Sequence, residues 1–250
     1  MIQVEPVGAV SVVRLDRAEK RNALTPGMLA NLSGALDRSM SARAVVLSGV
    51  GPVFCAGFDL FAGREDPEVM ASLMRGLSGV VASLRGMPCP VVASAHGAAI
   101  AGGCAMLGGA DFVVTHAGAT LGYPVVRLGI SPAVSGPYVA AGIGSGAARS
   151  RLLDSGLIDG AEALRLGLAS HEAASAEACE AMAIEVAQGL ASKPRHALAF
   201  TRRWLAELDG TGDAARAKAG LEASLSLVGS AESRERLEKL WAGGGRGGRP

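Results

Sequence analysis

Four short runs of small and branched apolar residues set the fold class: AVSVVRL at 9–15, AVVLSG at 44–49, VVASA at 91–95 and FVVT at 112–115. Valine-rich runs of this length suit strands buried on both faces. Between them the pattern takes the helical period. Thr25 before Pro26 reads as an N-cap and first helical residue leading into GMLANLSGALDRSM. Val69, Met70, Leu73, Met74, Leu77, Val80, Val81 and Leu84 recur at steps of three and four, which predicts an amphipathic helix over 67–86 that stops before Pro88 and Pro90. Strand and helix in alternation predict an α/β fold with parallel pairing and crossover helices. After about residue 155 the strands mostly stop. Asp159 and Gly167 bracket a short helix as aspartate cap and glycine stop, and longer helical patterns follow at about 175–191, 194–209, 213–228 and 231–241. Both tryptophans, Trp204 and Trp241, fall in this helical layer.

Composition excludes several classes of partner. With 250 residues, 49% hydrophobic and 19% charged, the chain can bury one full core. A net charge of +1 with scattered Lys and Arg gives no footprint for nucleic acid or an anionic membrane surface. No run reaches the ~18 apolar residues of a membrane span, and Glu5 interrupts the N-terminal stretch, so no secretory signal is expected. Cys55, Cys89, Cys104 and Cys179 form no CxxC pair and have no histidine at zinc-like spacing. No metal site is expected, and buried reduced thiols fit a cytoplasmic location.

Glycine-rich stretches are the candidates for chemistry. GIGSGAARS at 142–150 has its glycines as G-x-G-x-G, not G-x-G-x-x-G, and follows no strong strand, which argues against dinucleotide binding. VFCAGFDLF at 53–61 and AIAGGCAML at 99–107 each follow an expected strand. Backbone N–H groups at such turns lack helical partners, and two of them facing one carbonyl make an oxyanion hole. Tight packing turns with no ligand explain the same spacing equally well.

LDRAEKRNALTPGML (15–29), GVGPVFCAGFDL (49–60), PVVASAHGAAIAGGCAMLGGADFVV (90–114), LGYPVVRLGISP (121–132) and LIDGAEALRLGLAS (157–170), in this order, resemble the enoyl-CoA hydratase/isomerase, or crotonase, family. The resemblance covers most of the chain. It implies a crotonase-like α/β spiral of repeated ββα units over 1–190, a helical oligomerisation region over 191–242 and a disordered glycine-rich tail over 243–250. It further implies homotrimers, or hexamers made of paired trimers, and an acyl-CoA thioester as ligand, with coenzyme A arriving on the substrate and no permanently bound cofactor. By motif position the amides of Phe58 and Gly102 would be the oxyanion donors. Ala56, Asp59, Leu60 and Phe61 would lie along the coenzyme, Lys20 would line its groove, and Tyr123 would sit on the loop lining the acyl pocket. Phe61 stands where hydratases often carry a lysine, which removes one phosphate contact.

The family's acids and bases are missing. Hydratases use two glutamates whose positions here hold Ala105 and Val125, and the aspartate of other members is replaced by Ala133. From Val69 to Leu153 the only carboxylate is Asp111, whose place resembles a structural aspartate. His96 is expected in a hydrogen-bonding turn, His116 at the end of a strand and at a surface loop, and Cys104 in packing. Tyr123, with an ordinary phenol pKa of ~10, is a poor base but a usable donor. Asp59, Glu65 and Asp66 lie on the loop after the first oxyanion motif and are weaker candidates to reach the acyl group. Small residues at Ala99, Ala101, Ala105 and Ala133 suggest room for a bulky acyl group, and Leu225, Leu227, Val228, Leu237, Leu240 and Trp241 suggest apolar surface for oligomerisation.

Since a positioned acid or base contributes ~10²- to 10⁴-fold in rate, ordinary hydration should be very slow. An enolate-type reaction, isomerisation or decarboxylation, is favoured. The alternative is an acyl-CoA binding or carrier protein without chemistry. A serine peptidase on a related spiral lacks its Ser and His pair at the motif positions.

Overall fold

The computed structural model, which describes residues 1–61 and 66–244, lays the valine-rich runs side by side. β1 (Ile2–Val7) pairs antiparallel with β2 (Val10–Leu15), and β3 (Ala44–Gly49), β4 (Val91–Ser94), β6 (Phe112–His116) and β9 (His171–Ala173) continue the sheet in parallel. A smaller sheet places β7 (Thr120–Gly122) between β5 (Ala98–Ile100), which is parallel to it, and β8 (Ile158–Asp159), which is antiparallel.

Alternate strand residues enter opposite cores. Val13, Leu15, Val45, Leu47, Val91 and Ala93 pack on one face with α1 (Pro26–Arg38), α2 (Pro67–Gly86) and α3 (Gly102–Leu107). Val10, Val12, Ala44, Val46, Val92 and Val114 face the other side, where α6 (Ala178–Ala191) covers them with Cys179, Ala183, Ala187 and Leu190. This two-sided burial is why the runs read as apolar throughout. α4 (Gly136–Leu153), broken at Gly144, α5 (Gly160–Leu166), α7 (Arg195–Leu208), α8 (Ala214–Leu225) and α9 (Ala231–Gly244) complete the chain.

The expected caps form. Thr25 Oγ1 accepts from the Met28 amide at 3.2 Å, Asp159 Oδ1 accepts from Glu162 N at 2.8 Å, and Gly167 ends α5 at φ 87°. Asp111 is structural: one carboxylate oxygen accepts from Val91 N at 2.8 Å and from Arg202 Nε at 2.6 Å. Arg202 also donates to the carbonyls of Leu84, Arg85 and Met87. One guanidinium from α7 thus satisfies the orphan carbonyls at the C-terminal end of α2.

The glycine-rich stretch at 142–150 lies within α4. Two expectations change. His116 closes β6, at the strand end expected for it, but it is half-buried and its Nε2 accepts from Gly97 N at 3.2 Å rather than lying on a surface loop. Of the six apolar residues expected at the surface, Leu225, Val228, Leu237 and Trp241 pack within the chain against Met70, Met74 and Ile130, while Leu227 and Leu240 are exposed at 40% and 38%. A larger exposed apolar stripe lies on α7, where Phe200, Trp204, Leu205 and Leu208 are between 52% and 70% exposed.

The Arg202 cluster generates a stability prediction. Its side chain is 9% exposed and that of Asp111 18%, so Arg202→Met, which leaves Asp111 only the longer contact with Arg85 at 3.8 Å and takes the donor from three carbonyls, should destabilise the fold by about 3 kcal/mol. Urea unfolding with an unchanged m-value checks it, and adding Asp111→Asn should cost far less than it does alone.

Candidate active site

Two short backbone segments meet side by side at the edge of the smaller sheet. Phe54 N donates to His96 O at 2.9 Å, Cys55 N to Ala98 O at 3.0 Å and Ile100 N to Cys55 O at 2.9 Å, so Cys55 bridges Ala99 in parallel. On its other side, Leu24 N donates to Gly57 O at 2.7 Å and Asp59 N to Leu24 O at 2.9 Å. The Phe58 and Gly102 amides lie at the ends of these two segments, and neither meets an acceptor among the described residues.

Glycine makes the close approach possible. A Cβ at Gly103 would stand 2.5 Å from Cys55 O, and one at Gly57, where φ is +96°, would stand 3.0 Å from Ile100 O. Ala101 opens α3 at φ 52° and ψ −110°, a conformation that costs an alanine ~1–3 kcal/mol. That strain turns the chain so that Gly102 begins a helix immediately after the bridge.

Phe58, Gly102, Ala105, Tyr123 and Val125 come together around a cavity of about 40 Å³. Met74, Leu77, Ile130 and Val134 complete its apolar wall. Its polar groups are hydroxyls. Tyr123 donates to Cys104 O at 3.2 Å and is bonded by Ser135, and burial pushes its phenol well above the ordinary range. Ser224 Oγ donates to Ser131 O at 3.1 Å. Among the described residues no carboxylate or imidazole lines this cavity.

The other expected residues scatter. Ala133 lies behind the 125–135 segment, on a separate cavity of about 440 Å³, so it does not face the two amides. Ala99 is buried in the main core. The Ala56 amide donates to Arg21 O at 3.0 Å, and Lys20 is exposed one residue earlier. Asp59 is held by Arg17 at 2.7 Å, Asp66 caps α2 through Glu68 N at 2.8 Å, and Glu65 lies outside the described residues. Phe61 is exposed, and the Leu60 carbonyl accepts from Trp241 Nε1 at 3.1 Å. His96 is buried with Nδ1 3.3 Å from Ser94 O and Nε2 3.2 Å from Gly51 O, and burial lowers its pKa. It is a turn residue, not a base. Burial pushes the Cys104 thiol up to about 11, which keeps it protonated and in packing.

Sequence reasoning missed the cavity's far wall. Met74 and Leu77 were legible as a helix face but not as site residues, and Ile130, Ser135 and Ser224 carried no signal. The largest cavity among those described, about 690 Å³, lies between the end of α2 and α7 around Arg202 and has no such pair of amides.

Two parallel segments with glycine at each approach, set on a spiral of short strands and helices, define a crotonase-type protein. Residues 5–238 match the enoyl-CoA hydratase/isomerase family model. A Thermus thermophilus protein bearing the name enoyl-CoA hydratase is 35% identical over 223 residues, covering 85% of this chain and 86% of that one. A solved enoyl-CoA hydratase/isomerase from Mycobacterium paratuberculosis, 27% identical, superposes with a TM-score of 0.86 over 95% of this chain and 97% of its own. One from Xanthobacter autotrophicus Py2, at 23% identity, shares the fold with a TM-score of 0.88 over 97% of this chain and 93% of its own. This chain belongs to the enoyl-CoA hydratase/isomerase family.

The close approach can be tested by adding one methyl group. Gly103→Ala should destabilise by about 1–3 kcal/mol through overpacking against Cys55. Gly79→Ala, in α2 with nothing within 4 Å of the added Cβ, should stabilise by about 0.5–1 kcal/mol through helix propensity. Thermal melts of the two variants should therefore move in opposite directions.

Proposed function

We propose that this protein holds an acyl-CoA thioester with its carbonyl between the Phe58 and Gly102 amides, and that it favours an enolate-type reaction over hydration. The observation that carries this reading is the pair of unpartnered amides opening on a cavity that has no carboxylate in its described lining. Family membership supports the acyl-CoA. Donors fixed in a low-dielectric site and aimed at a developing oxyanion stabilise an enolate without reorganising, each by about 10²- to 10³-fold in rate. Water addition needs a positioned base as well, and Ala105 and Val125 offer none.

Decarboxylation suits such a site. The bond to the carboxylate breaks, its electron pair moves into the thioester enolate, and the α-carbon then takes a proton from solvent. Isomerisation would require a proton carrier and leans on the Tyr123 and Ser135 hydroxyls.

The same missing base supports a second reading, a carrier that binds acyl-CoA without turnover. The assembly that goes with either reading is a homotrimer, or a hexamer of paired trimers, and the exposed stripe of Phe200, Trp204, Leu205 and Leu208 on α7 supports burial against a second copy.

With crotonyl-CoA, loss of the enoyl-thioester absorbance should run about 10²- to 10⁴-fold slower than for a relative carrying both glutamates. Malonyl- and methylmalonyl-CoA should be decarboxylated, read by mass, and calorimetry should register binding of each. Hydration at the relative's rate overturns the reading. Binding without turnover on either panel decides for the carrier, and light scattering on the same sample should exceed the monomer mass.

A further inference from the structure

The size of the acyl group follows from the wall between two cavities, given the thioester placement proposed above. The cavity beside Phe58 and Gly102 measures about 40 Å³. Behind it lies the cavity of about 440 Å³, bounded by Val126, Leu152, Leu153, Leu227 and Glu232. Ile130, Ser131 and Pro132 line both. A single stretch of three residues therefore separates the small cavity beside the two amides from one roughly tenfold larger.

The partition is braced from the C-terminal helices. Ser224 of α8 donates to the Ser131 carbonyl at 3.1 Å. A Cβ at Gly220 would lie 2.7 Å from Ala133 O, and one at Gly129 would lie 2.8 Å from the Ser233 Cα of α9. Backbone packed this closely does not yield to a growing acyl chain without moving both helices. Of the three partition residues, Ile130 presents the largest apolar side chain, is 7% exposed, and packs with Met70, Met74 and Leu237.

We propose that Ile130 is the specificity-determining residue that limits this site to short acyl groups, and that a longer chain reaches the rear cavity only when this side chain is cut back. The small residues at Ala101 and Ala105 do not leave the room their size suggests, because Ile130, Met74, Leu77 and Val134 occupy it.

Calorimetry with saturated thioesters tests this without depending on turnover. The ladder is CoA, acetyl-, butyryl-, hexanoyl-, octanoyl- and dodecanoyl-CoA, measured on the full chain and on Ile130→Ala. Wild-type affinity should hold through butyryl-CoA and fall by about tenfold or more at octanoyl-CoA, as overpacking of a rigid wall requires. Ile130→Ala should recover octanoyl-CoA by about tenfold while leaving acetyl-CoA within about twofold. Should Ile130→Ala fail to fold, Ile130→Val should shift the cut-off in the same direction, seen first at hexanoyl-CoA. Octanoyl-CoA binding the wild type as tightly as butyryl-CoA overturns the gate, and so does a variant that weakens every ligand equally with its length dependence unchanged. Failure of every ligand, CoA included, overturns the functional reading and the gate with it.

Discussion

The geometry of the site depends on one buried amide. Asn22 is fully buried and uses both ends of its side chain: Oδ1 accepts from Arg17 N at 2.9 Å, and Nδ2 donates to the carbonyls of Val50, Val53 and Phe54 at 2.9–3.1 Å. A satisfied buried amide rigidifies what it joins, because any displacement strands polar groups in a low dielectric. Here it joins the loop after β2 to the turn after β3. Gly49 leaves the space for it, since a Cβ there would fall 2.7 Å from Asn22 Nδ2. With that turn fixed, Phe54 meets the His96 carbonyl, Cys55 falls opposite Ala99, and the Phe58 amide arrives beside the start of α3. Asp59, next in sequence, is tied back to Arg17 in the same loop, so the segment is anchored on both sides of the free amide.

What surrounds those amides decides their electrostatic worth. A pair of N–H donors is strongest where water is excluded and no nearby anion competes for the oxyanion. The 40 Å³ cavity meets the second condition among the described residues: no carboxylate lines it, its wall includes Met74, Leu77, Val125, Ile130 and Val134, and its polar side chains are neutral hydroxyls. Tyr123 spends its proton on the Cys104 carbonyl, and its burial disfavours a phenolate. With Ala105 and Val125 in its lining, the cavity carries no carboxylate among the described residues. A site of this composition stabilises an anion better than it moves a proton.

Reading the sequence recovered what periodicity and capping encode. The valine runs became the parallel core, the three-and-four spacing of Met70 to Leu84 became α2, and Thr25, Asp159 and Gly167 took their capping places. β1 was missed because Gln3, Glu5 and Pro6 break its apolar pattern on an exposed edge. β5, β7 and β8 are two or three residues long, too short for any period to register, yet β5 aligns Ala99 with Cys55. Phe58, Gly102, Ala105 and Val125 were legible through motif position, and the structure brings all four to one cavity. Ala133, named through the same motif, instead lines the neighbouring cavity. Pocket volume was misjudged as well: small residues near a site say nothing about side chains that arrive from distant helices.

Those distant helices make the C-terminal region part of the site. α8 braces Ser131 through Ser224, α9 crowds Gly129, and Trp241 reaches the Leu60 carbonyl at 3.1 Å, only two residues beyond Phe58. Leu237 and Trp241 share one apolar cluster with Met70, Met74, Ile130 and Phe58. A displacement of α9 would therefore bear on the partition and on the segment carrying the Phe58 amide at once. A boundary drawn near residue 190 divides the chain by secondary structure, but the packing runs across it: the sheet sets the two amides, and the terminal helices set how much space stands in front of them.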